Sequence, residues 1–312
     1  MLAISGWSGA GKTTVIEALI PRLSRRGLRV GVLKHDAHHL EFDRPGKDTM
    51  RVREAGAARV EAFDESWWFQ VAPRPPGSGW APLPRAWRQD VDILLVEGGK
   101  SGSMDKIWIV GPDGKGPPAG TRAVILTVQR GPDAVEAVET RLHSWLQSRW
   151  CERTRAAVVL AGAASCEPAA GVAGAFASTV LVAGRPVPGE ARLPCIPGVE
   201  GPVGGMLAAM RWAPAFSWIV LHSGLLRLRV ELLEWLWSKR RPGIWAVVPA
   251  VGGQPDPFAA VYEPQAVHVL EEAAPRGARG LSQVLSSHPC MSIVEPPDDL
   301  VDALAASGGQ ER

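Results

Sequence analysis

Residues 6 to 13, Gly6-Trp7-Ser8-Gly9-Ala10-Gly11-Lys12-Thr13, fit the pattern G-x-x-x-x-G-K-[ST] at every defined position. The apolar run LAIS leads into the turn. After it, Val15, Ile16, Leu19, Ile20 and Leu23 recur at helical spacing, with Pro21 a kink and Gly27 a stop. A strand, a glycine-rich turn and a helix in that order predict an α/β fold whose first loop cradles phosphate. The glycines let successive backbone N–H groups converge on phosphate oxygens, and the helix start adds the positive end of its dipole. Lys12 reaches the β- and γ-phosphates, Thr13 offers its hydroxyl to Mg²⁺, and Thr14 completes the start of the helix. A turn that only needed glycine would not also require this lysine and this context. The expected ligand is a nucleoside triphosphate.

Such a loop works with an acid at the end of a neighbouring buried strand, which holds Mg²⁺ directly or through water. DILLVEGGK supplies Glu97 at the end of an apolar run, Gly98 and Gly99 for close approach, and Lys100 at the phosphate-facing rim. The alternative is a carboxylate that merely caps a local turn. A second polar cluster, KHDAHHLEFDRPGKD, gathers Lys34, His35, Asp36, His38, His39, Asp43, Lys47 and Asp48 after the strand RVGVL. The carboxyl ends of strands face the ligand crevice in an open α/β sheet, so this segment is expected beside the phosphates. Its histidines also offer a zinc site, and a solvated polar loop is the plainer alternative.

The apolar runs continue with DILLVE, KIWIV and AVILTV, and with helical patterns in DTMRVREAGA and PDAVEAVETRLHSWLQSRW. This alternation predicts a parallel sheet flanked by helices, with VAPRPPGSGWAPLPR as a mobile flap. The charged stretch WCERTR places a boundary, giving domains 1–150 and 151–312. Beyond it AAVVLAG, STVLVAG, WIVLHSG and IWAVVPA alternate with three helical patterns, which predicts a second, Rossmann-like α/β domain. A chain of 312 residues is long enough for two domains.

A net charge of +2 gives no footprint for nucleic acid or a membrane surface. No apolar run approaches about 18 residues, and the start has no secretory leader pattern, so a cytoplasmic protein is expected. Cys151, Cys166, Cys195 and Cys290 lie far apart and read as thiols.

GWSGAGKTT, KHDAHHLEFDRPGKDTMRVREAGA and VEGGK, in that order and at that spacing, closely resemble the molybdopterin-guanine dinucleotide biosynthesis adaptor family (MobB-type) over most of residues 1 to 145. The resemblance implies a P-loop NTPase fold and a dimeric, weakly hydrolysing GTP-binding protein. Its family assists the transferase that attaches GMP to molybdopterin. It assigns nucleotide and Mg²⁺ binding to residues 6–14 and Glu97, with a ligand-facing role for the segment from Lys34 to Asp48. Gly99 departs from the family, which usually carries an aromatic residue there. Guanine selectivity rests on the resemblance alone, because a chain without asparagine lacks the N-K-x-D base-reading motif.

AAVVLAGAASCEPAAG resembles the opening of molybdenum cofactor guanylyltransferase, the partner enzyme, although Ala163 replaces a glycine and no lysine follows until Lys239. GPVGGMLAAMRWAP and PDPFAAVYEP resemble two further motifs of that family. The strand WIVL ends in His222, however, where the family places a Mg²⁺-binding aspartate. The implied second domain is nucleotidyltransferase-like in fold and degenerate in catalysis, with molybdopterin or its guanine dinucleotide as a further ligand. Two other readings stay open. One is a bifunctional enzyme with its own guanylyltransferase activity, and the other a P-loop small-molecule kinase using Asp36 or Asp48 as base.

Overall fold

The computed structural model describes residues 1–34, 48–57, 60–71, 91–162, 164–184, 192–199, 201–277, 281, 284 and 289–304. The chain builds two main sheets in succession. The first lobe contains β1 (Leu2–Gly6), α1 (Lys12–Arg25), β2 (Val30–Lys34), α2 (Asp48–Glu54), β3 (Val60–Phe63), β4 (Trp68–Val71), β5 (Ile93–Glu97), β6 (Lys106–Val110), β7 (Val124–Gln129) and α3 (Ala134–Cys151). Its sheet runs β2-β5-β1-β6-β7, with every pairing parallel. α1 continues past Pro21, and Gly27 follows it at φ 79°. Leu2, Ile4, Leu95, Ile107 and Ile109 pack against Leu19 and Leu23 of α1 and Leu142 of α3, which covers one face of the sheet. β3 and β4 form a separate antiparallel pair that periodicity did not reveal. The expected flap lies almost wholly outside the described residues.

The second lobe contains β8 (Arg155–Leu160), α4 (Glu167–Phe176), β9 (Thr179–Ala183), α5 (Gly201–Trp212), β10 (Ser217–His222), α6 (Val230–Ser238), β11 (Ala246–Val251), β12 (Gln254–Pro255), β13 (Ala259–Tyr262), α7 (Ala266–Ala273), β14 (Met291–Val294) and α8 (Asp298–Val301). Its sheet runs β12-β11-β13-β10-β8-β9, with β14 on β11. β8, β9 and β10 are mutually parallel, whereas β13 runs antiparallel to both β10 and β11. Ala156, Val158 and Leu160 enter one core while Ala157 and Val159 enter another on the opposite face. Strands covered on both faces read as unbroken apolar runs for this reason. α3 ends at Cys151 and β8 begins at Arg155, so the change of sheet falls within the charged stretch. Among the described residues no helix is long and apolar enough to cross a membrane.

The lobes meet at the amino ends of their strands. Asp92, just before β5, accepts hydrogen bonds from Arg29 N at 2.8 Å and from Trp245 Nε1 at 2.9 Å, Trp245 being the residue before β11. The Arg29 guanidinium stands 5.3 Å from the Trp245 ring centre. Nearby, buried Glu263 accepts from Trp150 Nε1 at 3.1 Å, Arg153 at 2.7 Å, Arg240 at 2.5 Å and Ser217 Oγ at 2.5 Å. Burial pushes the Glu263 carboxyl up, but Arg153 and Arg240, helped by Ser217, outweigh it and hold the group below the ordinary range. Burial also pushes Asp92 up, against the hydrogen bonds from Arg29 and Trp245, and here burial wins. Because ligands of α/β sheets bind at the carboxyl ends of strands, this amino-end junction leaves the two ligand edges pointing away from each other.

Candidate functional site

β1 delivers the chain into the glycine-rich loop, and β5 beside it delivers Glu97. In register, Glu97 stands opposite both Ile4 of β1 and Lys34 of β2. The turn after β5 is tied to the same strand: Gly98 N donates to Ile4 O at 3.0 Å, and Ser5 Oγ donates to Gly98 O at 2.5 Å. These bonds aim Glu97 at the helix start, where Thr13 Oγ1 donates to Glu97 Oε1 at 2.8 Å. Two residues separated by the whole βαβ unit thus meet at one point. A hydroxyl and a carboxylate are hard oxygen donors, suited to a small divalent cation that takes its remaining ligands from phosphate and water. Among the described residues no group of three His, Cys, Asp or Glu side chains forms an all-protein metal cage.

Gly11 sits at φ 93° immediately before α1, a left-handed position that favours glycine. α1 has no side-chain cap at Gly11 and no acid in its own first turn, so the carboxylate that meets this helix start is Glu97, delivered by β5. Lys12 Nζ donates to Trp7 O at 2.9 Å, which folds the lysine back across the loop. Ala10 is buried beneath the loop, whereas Ser8, Gly9, Thr13 and Thr14 are exposed. Trp7 is anchored by Nε1 donating to Gly116 O at 3.0 Å and by an edge-on contact with Trp108 at 6.1 Å.

The sequence reading expects Lys100 at the phosphate-facing rim. Its ammonium stands 4.6 Å from the centre of the ring of Trp7, a residue of the loop. Gly99, at φ 68°, is buried in the turn between Glu97 and Lys100. Lys34 is exposed at the end of β2, beside Glu97. His35, Asp36 and Lys47 lie outside the described residues, as does the side chain of Asp48, whose backbone begins α2. The sequence reading missed Arg130, just past the end of β7, which donates from Nη1 to Gly9 O at 3.4 Å. Its signal was topological: it follows the last strand of the lobe, a position the local motif does not include.

At the carboxyl edge of the second sheet, β10 ends in His222. Gly224 N donates to His222 Nδ1 at 3.0 Å, and the ring lies 5.6 Å from that of Phe258. An acceptor at Nδ1 leaves the proton of the neutral ring on Nε2. Ser223 Oγ accepts from Gly162 N at 2.9 Å. A Cβ on Gly162 would fall 2.7 Å from His222 Nε2, so backbone packs directly against the imidazole. An imidazole held in this way is a poor ligand for a hard cation.

Comparison with known proteins places these features in a family. Residues 1–129 match the family model for molybdopterin guanine dinucleotide synthesis protein B. A molybdopterin-guanine dinucleotide biosynthesis adapter protein of Escherichia coli is 39% identical over 119 residues, which cover 37% of this chain and 67% of that protein. The adapter protein of Haemophilus influenzae is 41% identical over 110 residues, covering 35% of this chain and 62% of its own length. A crystal structure of molybdopterin-guanine biosynthesis protein B aligns at 24% identity with a TM-score of 0.37, covering 46% of this chain and 97% of that one. The chain thus spans about two thirds of the length of these curated relatives. Since the phosphate loop and the Thr13–Glu97 pair both fall within the matched stretch, the chain belongs, through residues 1–129, to the molybdopterin guanine dinucleotide synthesis protein B family.

Proposed function

We propose that the chain is a GTP-binding adaptor of molybdenum cofactor biosynthesis that hydrolyses GTP weakly and assists the conversion of molybdopterin to molybdopterin guanine dinucleotide. The observation that carries this reading is the 2.8 Å contact between Thr13 and Glu97 at the start of α1. The two side chains would hold Mg²⁺ between them and the nucleotide, and the bound ion supplies charge neutralisation at the phosphates. The amides of residues 6–14 bind the phosphate chain, and Lys12 swings from the Trp7 carbonyl to the β- and γ-phosphates. Lys34, His35, Asp36, Lys47, Asp48, Gly98 and Lys100 line the same crevice in this reading. The curated relatives, both named as adapter proteins, support the pathway.

The lobes act as separate domains, 1–150 and 151–312. The second keeps a guanylyltransferase-like fold without its catalysis, since β10 ends in His222 rather than a carboxylate. It offers molybdopterin or its dinucleotide to an active guanylyltransferase in the cytoplasm. A homodimer accounts for the exposed Trp67 and Phe69 at the β3–β4 hairpin and Val52 on α2, which a second copy would cover. Sedimentation velocity on the purified chain is expected to give a dimer.

The functional test incubates the chain with Mg-GTP and molybdopterin, with and without an active guanylyltransferase. The adaptor reading expects faster dinucleotide formation only when the transferase is present. Pyrophosphate release by the chain alone would replace it with the bifunctional reading, and phosphorylation of a hydroxyl substrate with the kinase reading.

A further inference from the structure

We propose that Arg130 is a second cation for the triphosphate, working with Lys12 from the opposite wall of the loop. The proposal rests on the nucleotide-binding reading above and deepens it. β7 lies at the edge of the first sheet, next to β6, and its carboxyl end opens toward the phosphate loop. Arg130 N donates to Val110 O at 2.9 Å, which fixes the backbone at the end of β6. The side chain then crosses the loop: its Cδ and Nε stand 3.2 and 3.3 Å from where a Cβ on Gly11 would lie, and Nη1 reaches the Gly9 carbonyl. Gly11 leaves the space that this side chain occupies. Gly9 and Gly11 flank Ala10, whose N–H donates to Trp7 O at 3.2 Å.

The two cations share one arrangement. Lys12 donates to Trp7 O, and Arg130 donates to Gly9 O, so each rests on a carbonyl of the loop itself. No carboxylate lies within ion-pair distance of Arg130 among the described residues. Its hydrogen bond at 3.4 Å is long and exposed, which makes it easily exchanged for a shorter, charge-assisted bond to a phosphate oxygen. A planar guanidinium suits that role because its donors form a fork matching two phosphate oxygens.

The test compares wild type with Arg130→Ala and Arg130→Lys in the full chain, using a fluorescent GTP analogue with Mg²⁺ and competition by guanosine, which lacks phosphate. Arg130→Ala is expected to weaken GTP by about tenfold, and Arg130→Lys by about threefold. Guanosine competition and the melting temperature without nucleotide should stay unchanged. The affinity should also become less sensitive to salt in Arg130→Ala, because one phosphate contact is lost. Equal losses for GTP and guanosine, or a lowered melting temperature with Arg130→Lys no better than Ala, would overturn the proposal in favour of a base contact or a structural pin. Unchanged GTP affinity in Arg130→Ala would overturn it while leaving the nucleotide site standing. If the wild type binds no GTP, the nucleotide reading falls and takes this proposal with it.

Discussion

The two sheets of this chain end comparable strands in different chemistry. In the first, β5 ends in Glu97, whose carboxylate meets the Thr13 hydroxyl at 2.8 Å beside a helix start with no acid in its first turn. In the second, β10 ends in His222, engaged by the amide of Gly224 two residues on and pressed by the backbone of Gly162. Both edges belong to α/β sheets with both glycine and helix starts nearby, so architecture alone does not separate them. The difference lies in one side chain at the strand end and in what holds it. A carboxylate facing a hydroxyl presents oxygens to a cation, whereas an imidazole bonded to its own turn presents one N–H. Fold class therefore says where a ligand sits, and the terminal residue says which ligand chemistry is available.

The junction between the edges offers the largest test. Glu263→Gln leaves the buried Arg240 without its charge partner, so the chain should lose about 3–5 kcal/mol of stability in urea unfolding. A loss below about 1 kcal/mol would mean that the ion pairs of Glu263 contribute little to holding the fold. Next, Glu97→Gln should weaken Mg²⁺-dependent nucleotide affinity by about 10- to 100-fold, and Thr13→Ala should lower it in the same direction. An unchanged Mg²⁺ dependence would remove the contrast between the edges. The converse substitution sharpens that contrast: His222→Asp should create a weak Mn²⁺ site, with Kd on the order of 1 mM, visible by electron paramagnetic resonance. No change in bound Mn²⁺ would show that more than the terminal residue separates the two edges.

The smallest effect concerns pH, and two carboxylates at the junction act with opposite sign. Glu263 is held low in the folded chain, so its contribution is complete above the ordinary glutamate range and disappears as pH falls through the depressed folded value. Asp92 is held high, so the folded chain binds its proton more readily, and stability from this group grows as pH falls through the raised value. Asp92→Asn should remove that second component, so that the melting temperature gains less as pH falls into the carboxylate range. A variant whose pH profile overlays the wild type would show that Asp92 titrates as an ordinary surface acid.

Much of the first site was legible because its chemistry is written in contiguous residues. The loop needs glycine, lysine and threonine in fixed order, and Glu97 closes a run of apolar residues that only a buried strand explains. Arg130 was not legible. It reaches Gly9 only because β7 is the neighbour of β6 in the sheet, and strand order is not encoded in local spacing. The same limit hid the β3–β4 pair and the antiparallel placement of β13 between β10 and β11. Lys106, the first residue of the run KIWIV, is fully buried, with Nζ donating to Gly102 O at 2.6 Å and Arg122 O at 2.7 Å. Burial, opposed by Asp105, pushes that ammonium down. Its partners are backbone carbonyls, which no side-chain pattern announces. In the second lobe, His222 at the end of the run WIVL was readable, but the lock on its ring by Gly224 and Gly162 required coordinates.

The most direct measurement is the stoichiometry of GTP binding by isothermal titration calorimetry with saturating Mg²⁺, on wild type, Lys12→Ala and His222→Ala. The expected result is one nucleotide per chain, lost in Lys12→Ala and retained with unchanged affinity in His222→Ala. Two nucleotides per chain, or one that survives Lys12→Ala and disappears in His222→Ala, would contradict the assignment of Mg-nucleotide binding to the first edge.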